Sequence, residues 1–198
     1  IFSSVGYAAI MVKQRIDSED VTDAALEVID ASGPDELTLS RVAGELGVQS
    51  SALYNHIESL SGLRRNVAAA ASEALTTALR DAAIARSGRD ALVAVGTAYR
   101  RFAVDHPGQF AAATFLLGDP APETTQAITS ITELFVRIVD GLGVAEDRII
   151  DDARAIHSAI RGFVILETTQ GFDPSADLNT SFEHLLEVLL QGISPNRS

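Results

Sequence analysis

Cysteine is absent from this chain of 198 residues, which removes disulfides, thiolate metal sites and thiol catalysis together and fits a reducing, cytoplasmic setting. No apolar run approaches the ~20 residues of a membrane-spanning helix, so no membrane partner is expected. An alternating strand pattern is missing throughout, which points to an all-α class. Basic residues are scarce, and the formal charge is −12. That balance argues against a protein that coats nucleic acid indiscriminately, because the summed field repels phosphate. A specific binder can still be acidic overall if its contact face is not. His106, His157 and His184 share the second half of the chain with Asp151, Asp152 and Glu167, but no His pair stands four residues apart, so no metal site is expected. With no nucleophile-base constellation and no phosphate loop either, an enzyme has little support and no cofactor is implied.

What is present is apolar material and helix punctuation. A hydrophobic fraction of 46% suits one small domain followed by a larger one. The opening IFSSVGYAAIMV is apolar but short and lacks a basic start, so it reads as a vector remnant or upstream-start extension rather than a secretory signal. About nine helices are expected. The first starts at Ser18, read as its cap, and ends at Gly33-Pro34. The fourth, capped by Ser59, carries Leu63, Val67, Ala71, Ala74, Ala78 and Ala82 at turn spacing and stops near Ser87-Gly88. A fifth presents Leu92, Val95, Tyr99 and Phe102. Pro107 opens a sixth, with His106 as its expected cap. The seventh opens at Pro122 with Ile128, Ile131, Phe135, Ile138 and Leu142 in phase. The eighth spans about 146–170 and the ninth about 177–191.

Residues Thr38 to Ile57, TLSRVAGELGVQSSALYNHI, read as two short helices around a Gly47-Val48-Gln49 turn. Val42 and Leu46 stand one turn apart, Ala43 is small where a second helix crosses, and Gly47 permits the positive φ that ends the first helix. Val48, Leu53 and Ile57 supply the inner face of the second. This is a helix-turn-helix, and the first reading is DNA binding. Between Asp17 and Glu36 there are eight acids and no Lys or Arg. Thr38 to Asn66 carries Arg41, Arg64 and Arg65 against Glu45 and Glu58, with Lys13 and Arg15 ahead of the motif as further phosphate contacts.

With its flanks, DAALEVI (Asp23 to Ile29), Gly33, LTLSRVAGELGV (Leu37 to Val48), ALYNHI (Ala52 to Ile57), Ser59 and Leu63, this segment resembles the DNA-binding domain of the TetR family of bacterial transcriptional repressors. HPGQF (His106 to Phe110) and RGFVILE (Arg161 to Glu167) resemble one of its ligand-domain subgroups. The domain boundary is placed inside the fourth helix, near Val67, giving a helix-turn-helix domain at 11–66 and a helical domain at 67–198 that the resemblance makes the ligand-binding and dimerisation domain. The resemblance implies a homodimer on a palindromic double-stranded operator, released by a small-molecule effector.

Candidate DNA contacts are Thr38, Ser40, Arg41, Gln49, Ser50, Ser51, Ala52, Tyr54, Asn55, His56 and Arg64. Tyr54 and His56 match family positions that touch DNA; the competing reading is that they pack against helix one. Arg41 reaches phosphate or merely solvates a face, and Gln49, Ser50 and Ser51 contact DNA or simply cap their helix. Where the family often has a lysine after the Ser59 position, this chain has Leu60, with Arg64 or Arg65 as substitutes.

Tyr99, Phe102, Phe110, Phe115, Phe135 and Phe163 lie on helices that can enclose a cavity, with Thr114, His157 and Arg161 as polar anchors; plain core is the competing role. Such a lining fits an apolar or amphipathic effector, an acidic group of which pairs with Arg161. Helices eight and nine carry apolar residues over more than one stripe, so Ile156, Ile160, Leu185, Leu186 and Leu189 are candidates for burial against a second copy in a four-helix bundle. The alternative function is a helical small-molecule-binding protein whose DNA motif no longer acts, motivated by the acidic first helix and Leu60.

Overall fold

The computed structural model describes residues 16–114 and 122–193. Phe115, Lys13 and Arg15 lie outside the described residues. Within them the chain is all-α, with no strand. The helices are α1 (Ser18–Ser32), α2 (Leu39–Glu45), α3 (Ser50–Leu53), α4 (Leu60–Ala83), α5 (Gly88–Asp105), α6 (Pro107–Thr114), α7 (Pro122–Asp140), α8 (Ile149–Thr168) and α9 (Leu178–Gly192). Short 3-10 turns at Pro34–Glu36 and Glu146–Arg148 precede α2 and α8.

Local chemistry accounts for most boundaries. Asp17, not Ser18, caps α1: its carboxylate accepts from the N–H groups of Glu19 and Asp20, while Asp20 accepts from the Asp17 N–H at 2.8 Å. The carboxylate also complements the positive end of the helix dipole, an advantage a serine lacks. Thr38 caps α2. Gly47, at φ +66°, ends it, and the Val48 N–H returns to the Ala43 carbonyl at 2.9 Å. Ser59 caps α4 through the Gly62 N–H at 3.0 Å. That helix stops at Ala83, short of the expected Ser87-Gly88. Arg86 folds back so that its Nη1 donates to the Ala82 carbonyl at 2.9 Å, satisfying a group left open by the helix end.

The buried residues form two clusters that meet on α4. The first joins α1, α2 and α3 to Leu63, Val67 and Ala71, with Ala112 contributed by α6. The second begins at Leu75 and Leu79 and runs through α5, α7, α8 and α9. Ala74, Ala78 and Ala82 are only half-buried, because α4 packs on α5, α6 and α7 at once and turns Leu75 and Leu79 inward. On α7, Ile128 is 46% exposed although it shares the expected apolar phase. Arg100 ties α5 to α8 and α9. Its Nε and Nη2 donate to both Glu167 oxygens at 2.7 and 2.6 Å, Nη1 donates to Asn179, and the guanidinium sits over Phe182.

Three of the five candidate dimer residues are corrected by burial. Ile156, Ile160 and Leu186 are closed inside the chain's own core, and Leu185 and Leu189 are half-buried against it. The second apolar stripe of α9 is met by α5 and the rest of its own bundle, so these three side chains present no surface to another copy. The outer faces of α8 and α9 instead expose Ala155, Gly162, Leu166, His184 and Val188.

Candidate DNA-binding face and ligand-binding region

The helix-turn-helix stands on a buried base. Leu53 is 0% exposed and Ile57 is 7% exposed, and both join the first core with Val42 and Ala43. This anchoring leaves Gln49, Ser51, Tyr54 and Asn55 exposed and Ser50, Ala52 and His56 half-buried. The Tyr54 side chain, large and partly apolar, is left 59% exposed. Regular helix ends at Leu53; beyond it the chain turns on, with Asn55, His56 and Ile57 N–H groups donating to Ala52 and Leu53 carbonyls. The recognition segment is thus one helical turn opening at Ser50, followed by a tighter turn that carries Tyr54, Asn55 and His56.

The basic candidates are partly engaged. Arg41 Nη2 pairs with Glu36 at 2.9 Å and Nη1 donates to Ser32 Oγ at 2.8 Å, bracing α2 on the end of α1. Exposed pairs of this kind are worth about 0–1 kcal/mol, so a phosphate can displace the carboxylate at small cost. Thr38 uses its hydroxyl as a helix cap, Ser40 is exposed, Arg64 is half-buried, and Arg65 reaches Ser61 at 3.4 Å. Leu60 packs its side chain partly against the first core.

The structure brings together Tyr99, Phe110, Phe135, His157, Arg161 and Thr114 and places the rings of Phe102 and Phe163 against other partners. Tyr99 meets Phe110 edge-on at 5.6 Å and His157 edge-on at 5.8 Å, while His157 stacks on Phe135 at 4.6 Å and 13°. Arg161 Nη2 donates to the Thr114 carbonyl at 2.8 Å, pinning the end of α6 to α8. Phe102 pairs with His106, and Phe163 packs with Phe172 and Phe182 where α8 meets α9. The apolar phase of a helix says that a ring is inward without saying which neighbour it meets.

Burial pushes the Tyr99 hydroxyl up to about 12, against the opposing pull of Arg161. Burial first, and the Arg161 charge second, hold His157 down to about 4, so its imidazole is neutral at pH 7. The opening at this cluster lies on its α7–α8 side. There a cleft of about 360 Å³ is lined by Thr132, Phe135, Val136, Ile150, Ala153, Arg154, His157 and Ser158. Most of this lining escaped the reading of the sequence. The signal was there: residues 150, 153, 154, 157 and 158 are one face of α8.

The two regions touch through α6. Asp30, at the end of α1, accepts from the Gln109 N–H at 2.8 Å and from Gln109 Nε2 at 2.7 Å, and His106 Nδ1 lies 3.1 Å away. Asp30, rather than the expected His106, therefore supplies the side-chain acceptor at the start of α6. Gly108 makes the approach possible: a Cβ there would collide with the Ile29 carbonyl group.

A family model described as the tetracyclin repressor-like C-terminal domain matches residues 92–189. An uncharacterised HTH-type transcriptional regulator of Mycobacterium tuberculosis is 31% identical over 180 residues, spanning 90% of this chain and 82% of that protein. A Rhodococcus protein of unknown function shares the fold with a TM-score of 0.78 at 21% identity, over 92% of this chain and 98% of the other. A TetR variant from Acinetobacter baumannii, solved in complex with minocycline, aligns with a TM-score of 0.63 at 23% identity, over 90% of this chain and 96% of that one. The chain belongs to the TetR family and is a DNA-binding transcriptional regulator of the helix-turn-helix class.

Proposed function

We propose that two copies of this chain act as a repressor, each placing its Gln49 to His56 segment in the major groove of one half of a palindromic operator, and that a small apolar or amphipathic effector releases the DNA. The observation that carries the reading is the double anchoring of α6. One end is held to α1 of the DNA-binding region by Asp30, and the other is held to α8, beside the His157 cluster, by Arg161. A ligand that binds better when α8 has shifted pulls on α6, and through it on the helix-turn-helix; only that difference in affinity does the work.

Pairing of copies is assigned to the outer face of α8 and α9, at Ala155, Gly162, Leu166 and Val188. Small residues there allow close helix approach, and Leu166 and Val188 are large apolar side chains left in water at 46% and 48% exposure. Burying them against a second copy yields the favourable hydrophobic term.

Selection of bound fragments from a randomised DNA library tests the reading. A palindromic consensus, bound with a steep dependence on salt, is expected. Failure to enrich any sequence would leave the alternative, a small-molecule-binding protein whose DNA motif is inactive; the acidic α1 and the Arg41–Glu36 pair favour that outcome over non-specific binding.

A further inference from the structure

We infer that the cleft between α7 and α8 is the effector's seat and that it takes an organic acid, an apolar body ending in a single anionic head group. The inference rests on the reading of the chain as ligand-responsive and adds the place and the chemistry.

The floor and walls are apolar. Phe135 and Ala153 are buried beneath the cleft, Val136 lines one side, and Ile150 stands at the mouth, 47% exposed. Because the α8 lining residues share one helical face, the cleft is built into the packing of two long helices. Its volume of about 360 Å³ lies at the small end of ligand sites, which suits a compact molecule rather than a segment of another protein.

The polar groups decide the head. His157 is half-buried, stacked on Phe135, and makes no hydrogen bond to another of the described residues. Its neutral ring brings one donor and one acceptor to the lining. Ser158 stands beside it, and Thr132, across the cleft, spends its donor on the Ile128 carbonyl. The charge in the lining is Arg154, and neither Asp nor Glu is part of it. Arg161, one turn beyond His157, adds a second positive charge near the ring, the same charge that disfavours the imidazolium. A cationic head would therefore find no carboxylate in the lining to pair with, and an anion would meet Arg154, a Ser hydroxyl and an imidazole N–H. Arg154 is available, because its partner Asp151 is held at 3.2 Å in an exposed pair of low worth. Arg161 is not the partner, since its guanidinium serves the Thr114 carbonyl and it does not line the cleft.

Three probes of equal tail length, decanoate, decanol and decylammonium, test this on the full chain by calorimetry and thermal melting. Decanoate is expected to bind at least ~10-fold more tightly than decanol, and decylammonium is expected to give no melting shift. Arg154→Gln should cut the preference for decanoate over decanol ~10-fold. Ser158→Trp, which fills the cleft from an exposed position, should abolish binding of decanoate, and Thr132→Phe should do so from α7, so that misfolding of one variant does not decide the matter. Equal or tighter binding of decylammonium, no binding by any probe, or decanoate binding that survives both filling variants would overturn the inference. So would burial of Ser158 by a second copy, read as loss of labelling of a Ser158→Cys protein at concentrations where it dimerises. If decanoate binds as expected yet leaves operator affinity unchanged, the cleft assignment stands and release by effector falls. If decanoate still releases the operator from the filled variants, release stands and the cleft falls.

Discussion

Asp30 on α1 accepts hydrogen bonds from both the backbone N–H and the side-chain amide of Gln109 on α6, at 2.8 and 2.7 Å. A residue of the DNA-binding region thus caps a helix of the ligand-binding region, and α6 cannot tilt without disturbing α1.

Replacing Asp30 by Ala removes this cap. The expected cost is about 1 kcal/mol of stability, the usual worth of an N-terminal cap, read as a lowered melting temperature. Effector-dependent change in operator affinity should shrink at the same time. Unaltered coupling in a folded Asp30→Ala protein would show that the signal travels by α4 instead.

Tyr54→Ala should weaken operator binding by about 1–3 kcal/mol while leaving the melting temperature nearly unchanged, because the residue is 59% exposed and belongs to neither core cluster. His56→Ala should weaken it as well, with a small stability loss because its side chain is half-buried. Titration of a fluorescent operator, paired with thermal melts, separates the two.

Substitutions on α8 and α9 should divide by face. Leu186→Arg places a charge in the chain's own core and is expected to unfold it. Val188→Arg and Leu166→Arg, on the outer face, should give folded monomers that no longer hold a full operator. Sedimentation and circular dichroism of the three proteins decide the assignment; a dimeric Val188→Arg protein would sink it.

The His157 imidazole titrates at its ordinary value near 6.5 in the unfolded chain and at about 4 in the folded one. Between those values the unfolded state binds more protons, so the stability contributed by the neutral buried ring is complete above pH 6.5 and is lost as pH falls toward 4. The loss approaches roughly 3 kcal/mol at the low end. In denaturant titrations the wild type should lose stability relative to His157→Phe, which keeps an aromatic ring against Phe135, as the pH is lowered through this window. Parallel pH profiles would contradict the assignment.

The sequence by itself determined the helices, their order and the helix-turn-helix, because each rests on neighbours within a turn or two. Thr38 and Ser59 cap, Gly47 turns, and Val42, Leu53 and Ile57 repeat at helical spacing whatever the rest of the chain does. Where capping chemistry had close competitors the reading slipped by one residue, as at Asp17 and Ser18. Tertiary structure alone decided which inward faces meet. An apolar stripe on α9 satisfies its own bundle or a second copy with the same residues, and only the close packing of Leu186 and Ile160 against α5 assigns those two side chains to the chain's own core. The same holds for the rings. Tyr99, Phe102, Phe135 and Phe163 carry equal claims to a cavity in the sequence, but helix crossings bring Tyr99 and Phe135 to His157 and send the other two away. Asp30 and Gln109 stand 79 residues apart, and no local pattern marks them as partners until α1 and α6 are brought together.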